Sequence, residues 1–272
     1  MTATLLLLLG LAGSARAQEA GPIVPPAPLP QDGPSAVPMA VAPVPFGPGE
    51  RLGYKVSVSP FGQVGRGSME VVGLDTIRGF PAYHLRFNLK GGILFAKVDD
   101  RLQSWFDVSR LVSRRFKQDQ KEINYERHRT YDFLPEERRW IRLDRNETGE
   151  LATDQPLDDV SFLYFARTLP LEVGRTYTFD RYFKQDGNPV VLKVVRKETV
   201  TVPAGTFRTI VVQPIIQTRG LFGKGGKAEV YFTDDERRLL VQMKSDVPVL
   251  GSLNLYLQSY TPGERLSSAA GS

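Results

Sequence analysis

Residues 122–133, Glu-Ile-Asn-Tyr-Glu-Arg-His-Arg-Thr-Tyr-Asp-Phe, carry the most pointed chemistry in the chain. Read as a strand, period-two alternation puts Ile123, Tyr125, Arg127, Arg129, Tyr131 and Phe133 on one face, mixing two guanidinium groups into an aromatic stripe. A sealed core rejects unpaired cations. Two accounts remain open: a strand at a sheet edge whose arginines reach water or pair with acids, or a concave surface whose cations meet an anionic headgroup or polymer. The edge account is preferred. The open surface supplies the candidate ligand set, Tyr125, Tyr131, Arg127 and Arg129, to which the aromatics Phe162, Tyr164 and Phe165 of a second segment are added.

Other constellations fail on spacing. In residues 220–228, Gly-Leu-Phe-Gly-Lys-Gly-Gly-Lys-Ala, a phosphate loop requires glycine where Leu221 stands and a hydroxyl where Ala228 stands, so the stretch reads as a hairpin tip. The chain has two histidines, His84 and His128, both in the polar phase of a strand, and no cysteine. Thiol chemistry, disulfides, a lipidated cysteine and a histidine-rich metal site are thereby excluded. The acid pairs Asp99-Asp100, Asp158-Asp159 and Asp234-Asp235 could serve glycoside hydrolysis or hold calcium, but each is expected at a turn or helix start, where aspartate is favoured conformationally. No Gly-x-Ser-x-Gly elbow occurs. We expect no enzyme activity and no cofactor.

These residues must be positioned by β-structure. Alternation recurs throughout, as in Tyr83, Leu85, Phe87 and Leu89 against His84, Arg86 and Asn88, and again in Leu253, Leu255 and Leu257. Four segments also recur in the same order at offsets of about 122–126 residues. The stretch from Met69 resembles that from Leu192, Tyr54 matches Tyr177, Pro81 matches Pro203, and the Phe106 stretch (FDVSRLVSRRFK) matches the Phe232 stretch (FTDDERRLLVQMKS). The spacing predicts an all-β fold: a mainly antiparallel, strongly curved sheet, open β-barrel or β-roll built from two similar halves, about 50–150 and 171–262. Between them, Asp158 or Asp159 as N-cap and Pro170 as stop predict one short buried α-helix near 159–169, about three turns long.

The ends bound the domain. Residues 1–17 read as a signal peptide, with a leucine run from Leu5 to Leu9 and Ala15-Arg16-Ala17 as cleavage site, although no Lys or Arg precedes the run. Residues 18–49 are proline-rich and expected to be a disordered linker, 50–262 a single β-rich domain, and 263–272 a disordered tail. The net charge of +5 is modest and concentrated in the cation-rich run around residues 110–129. We expect a periplasmic protein that is not a lipoprotein, with no later transmembrane segment and no nucleic-acid partner.

Residues 95–107, 163–179, 198–212 and 228–245 together resemble the exported bacterial family catalogued as domain of unknown function 3108, over the region from Phe46 to Tyr260. The resemblance implies export and a β-rich fold, and carries over no catalytic residue. By fold analogy, a curved sheet cupping an apolar helix is similar to periplasmic lipoprotein carriers, where aromatic side chains line a half-open barrel. The expected function is binding of a lipid or other hydrophobic envelope component, or of an anionic envelope polymer. The alternative is a scaffold that contacts peptidoglycan or a protein partner.

Overall fold

The computed structural model describes residues 41–93, 96–122, 125–216, 227–247 and 251–266. The Gly-rich stretch expected as a hairpin tip lies outside them, apart from Lys227 and Ala228, which begin a strand.

The first half contributes β1 (Arg51–Val58), β2 (Gly62–Ile77), β3 (Phe80–Ile93), β4 (Ala96–Asp107), β5 (Ser113–Glu122), β6 (Tyr125–Leu134), β7 (Arg139–Arg142) and β8 (Glu147–Glu150). After the helix α1 (Ser161–Ala166), the second contributes β9 (Thr176–Phe179), β10 (Val190–Val202), β11 (Gly205–Ile215), β12 (Lys227–Thr233), β13 (Leu240–Val247) and β14 (Gly251–Thr261). All join one antiparallel sheet in the order β8-β7-β6-β5-β4-β3-β2-β1-β14-β13-β12-β11-β10-β9. Each half is thus a meander, and the two meet where the first strand pairs with the last. The sheet is not closed: β8 and β9 are its two ends.

Apolar residues on alternate positions face inward. Leu52, Tyr54, Val56 and Val58 of β1 are buried, as are Tyr83, Leu85, Phe87 and Leu89 of β3 and Leu253, Leu255 and Leu257 of β14. They form one core with the helix. Burial of this continuous face is what stabilises two meanders that would each expose theirs alone.

The related turns that begin at Phe106 and Phe232 are built alike. Both phenylalanines are fully buried. Asp107 Oδ1 accepts from the backbone N–H of Ser109 and Arg110, and Asp235 Oδ1 accepts from those of Arg237 and Arg238. Each turn closes on a non-glycine residue in the left-handed region, Leu111 at φ 52° and Arg238 at φ 48°. The repeat alignment fails at one place. The β2–β3 turn is Arg78-Gly79 and the β10–β11 turn is Pro203-Ala204, whereas Pro81 sits within β3 opposite Thr76. The prolines are therefore not equivalent.

The helix is shorter than its sequence pattern predicts, six residues rather than three turns, with every residue buried. So short a helix has little stability of its own. Asp158 holds its start: Oδ1 accepts from the N–H of Val160 and Ser161, and Oδ2 accepts from the Ser104 hydroxyl at 2.6 Å. At the other end Arg167 makes a bidentate ion pair with Glu50, both fully buried, at 2.6 and 2.9 Å. Helix and sheet are thus pinned at two points.

Packing against the core continues on both sides of residues 50–262. Phe46 is buried edge-on against Tyr83 and Tyr164, and Ala42 N–H donates to Val108 O. At the other end Glu264 N–H donates to Pro48 O, and Leu266 packs on the core. Proline-rich composition predicts an extended chain, but an aromatic side chain within it found an apolar socket.

Candidate functional site

Directly opposed residues in antiparallel strands share a face, so register decides what lines the interior. Across β3, β4, β5 and β6, one row reads Leu89, Asp100, Gln120, Arg127, the next Phe87, Leu102, Gln118, Arg129, and the third Leu85, Ser104, Phe116, Tyr131. In the first two rows the inner wall thus changes from apolar on β3 to polar on β5 and β6. Gln120 Nε2 donates to Asp100 Oδ2 at 3.3 Å, Lys121 N–H donates to Asp100 Oδ1 at 3.2 Å, and Arg127 Nη1 donates to Gln120 Oε1 at 3.5 Å.

Among the described strands, β7 pairs only with Tyr131, Asp132, Phe133 and Leu134 of β6, so the part of β6 that carries Arg127 and Arg129 has β5 on one side and a sheet edge on the other. Arg127 is buried, Arg129 half-buried and Tyr131 buried. Asp99 and Asp100 also lie within β4 rather than at a turn.

The second side of the site comes from residues 180–189, between β9 and β10. Phe183 packs on Tyr131 and Phe133 with ring centroids 5.6 and 5.2 Å apart. Lys184 Nζ lies 5.3 Å from the Phe183 ring and 5.8 Å from Tyr131. The Tyr182 hydroxyl donates to Asp159 Oδ1 at 3.4 Å. Asn188 fixes the loop by accepting from Tyr182 N–H and donating to Tyr182 O. Gly187 is required, because a Cβ there would fall 2.0 Å from the Tyr182 ring.

Electrostatics follow from burial. Asp100 is pushed up to about 6, mainly by desolvation. Asp159 is pushed up to about 7 by desolvation and then by the charge of Asp158. Burial, followed by the positive charge of Arg129, holds the Lys184 ammonium below its ordinary value. A carboxyl raised in the folded state binds its proton more tightly than the unfolded chain does. The stability Asp100 contributes is therefore fully present below about pH 4 and is lost as pH rises toward about 6. Asp100→Asn is expected to be more stable than the parent at pH 8, by about 1–3 kcal/mol, with the difference vanishing near pH 4. Urea denaturation across this range checks it, and parallel pH profiles would refute it.

The remaining candidates divide. Tyr164 packs on Phe46 at 4.9 Å, and Phe165 lies edge-on to Phe179 at 5.5 Å with the Arg181 guanidinium 4.3 Å from its ring. Phe162 is also buried. The helix aromatics with described ring partners thus contact Phe46, Phe179 and arginines of their own end, while Arg127, Arg129 and Tyr131 share the β6 wall with Lys184. Tyr125 begins β6 opposite Glu122. Sequence reasoning sets Asp100 aside as a turn acid, passes over Gln118 and Gln120, sets Asp159 aside as a helix-start acid, and passes over Lys184. The signal available for the first three was polar residues in the inward phase of β4 and β5.

Neither histidine joins this wall. His84 stacks on Trp105 outside it, and exposed His128 bonds Asp119 and Glu126. Among the described residues no three His, Cys, Asp or Glu side chains converge on a metal position, and no helix is long and apolar enough to cross a membrane.

An open antiparallel sheet curled around its own helix, with a polar wall inside, defines a β-barrel-like protein. The solved β-barrel-like protein of domain of unknown function DUF1849 from Brucella abortus has this fold at 10% identity and TM-score 0.51, covering 82% of this chain and 100% of that one. Chains from Parabacteroides distasonis and Bacteroides fragilis match over the same shares, at 12% and 11% identity, with TM-scores of 0.36 and 0.31 that carry no argument. No curated protein matches. The chain belongs to the family described as protein of unknown function (DUF3108), which matches residues 53–258.

Proposed function

We propose that the chain is an exported, non-enzymatic binding protein of the cell envelope whose interior receives an amphiphile. One observation carries this reading: inside one sheet, a wall of Asp100, Gln118, Gln120, Arg127 and Arg129 is continuous, through the registered rows, with Leu85, Phe87 and Leu89. A ligand with a polar head and a hydrocarbon body matches both surfaces, whereas a purely apolar one leaves the polar wall without partners. Export rests on the N-terminal leucine run and its small-residue cleavage motif.

The test is extraction and mass spectrometry of protein isolated from its native envelope, followed by titration of the stripped protein with a fluorescent fatty acid. Co-purifying amphiphile and saturable uptake are expected. Leu89→Trp, which fills the apolar side next to Asp100, is expected to weaken uptake at least ten-fold while costing about 1–3 kcal/mol of stability. Clean protein that takes up no amphiphile would overturn the reading.

A further inference from the structure

We propose that Arg129 and Lys184 form an anion-binding site for a phosphate or carboxylate group, entered from the half-buried side of the β6 wall. The proposal rests on the amphiphile reading only for where the rest of such a ligand would lie.

Most cations withdrawn from water in this chain meet a carboxylate, whereas Arg181 donates to the backbone carbonyls of Gln155 and Leu111. Arg78, Arg114, Arg115, Arg142, Arg167 and Arg196 all meet a carboxylate at ion-pair distance. Arg129 and Lys184 are both partly withdrawn from water, and among the described residues neither makes an ion pair. Asp186 and Asp159 raise the Lys184 ammonium through their charge, with no ion pair to either among the described residues. The Lys184 head rests between the rings of Tyr131 and Phe183, which solvate it weakly. Across the strand pair, Arg129 faces Gln118, a neutral amide.

Two neighbouring positive charges in a half-dry wall repel each other and forgo hydration. An anion held between the two would relieve that repulsion and restore the lost hydration. A planar guanidinium and an ammonium together suit a phosphate or carboxylate through charge-assisted hydrogen bonds. Arg127, at the i−2 position on the same face of β6, adds to the positive potential.

The experiment titrates the full chain calorimetrically with inorganic phosphate, with dihexanoyl phosphatidic acid and with an uncharged alkyl glucoside. Arg129→Gln, Lys184→Gln and the double variant are titrated in parallel. Binding of phosphate or phosphatidic acid, weakened at least ten-fold in each variant and by rising salt, is expected. The variants should unfold at the parent's temperature or higher, because a repulsion has been removed. Phosphatidic acid binding without detectable free phosphate binding would make the headgroup the source of the anion and supports the site. Phosphate binding without uptake of either amphiphile supports the site and sinks the amphiphile reading. Alkyl glucoside binding with no anion effect leaves that reading standing and overturns the site. Anion binding unchanged in the double variant, or a double variant that unfolds many degrees lower, also overturns it.

Discussion

Arg167→Met is expected to destabilise the protein by about 3–5 kcal/mol. Arg167 and Glu50 are 0% and 2% exposed at their side chains, and the guanidinium also donates to Arg237 O at 3.0 Å. Methionine replaces much of the volume but leaves the Glu50 carboxylate buried among Tyr54, Tyr164 and Phe46 without its partner. Removing one member of a buried pair costs more than the pair contributes, because the remaining charge has lost both water and its counter-ion. The double variant Arg167→Met with Glu50→Gln should recover a large part of the loss. Urea denaturation of the three proteins measures this. A loss below about 1 kcal/mol, the value of a solvated surface pair, would show that Glu50 finds water when the arginine is gone.

Phe106→Ala and Phe232→Ala should each cost about 3–5 kcal/mol. Both side chains are at 0% exposure in one contiguous core, and each is the last residue but one of the strand that precedes a related turn. Alanine leaves a ring-sized void at corresponding points of the two halves. The losses should be alike, and because both halves contribute to one sheet, each variant should unfold in a single transition. Denaturation followed by tryptophan fluorescence and by far-ultraviolet circular dichroism would test this. Separate transitions for the two probes would show that the halves are independent units.

The fold was legible because period-two burial is a local property. Leu85, Phe87 and Leu89 declare their face without knowledge of any partner strand. The two aspartate turns were readable for the same reason, since Asp107 and Asp235 satisfy backbone donors two and three residues away. What could not be read is whatever depends on register between distant segments. The Arg127 stripe reads as mixed, but that Gln120 and Gln118 stand opposite Arg127 and Arg129 depends on the β5–β6 register. Lys184 joins the wall only because residues 180–189 fold back over β6, and no pattern near Lys184 announces that. The Glu50–Arg167 pair spans 117 positions and lies at the edge of a proline-rich stretch that composition assigned to a linker. The helix was over-read because Phe162, Phe165 and Leu169 suit a helix on any face, while its length is set by where Arg167 must turn to reach Glu50.

The seam between β1 and β14 carries a consequence for biogenesis. Leu52, Tyr54 and Val56 pair with Tyr260, Leu257 and Leu255, residues that leave the ribosome roughly 200 positions later. Throughout synthesis, the middle of the molecule therefore presents a raw strand edge, which is the kind of template on which chains aggregate. A nascent or truncated polypeptide that ends before Gly251 lacks the closing stitch, so such fragments should be client substrates for chaperones and proteases long before they resemble the finished molecule.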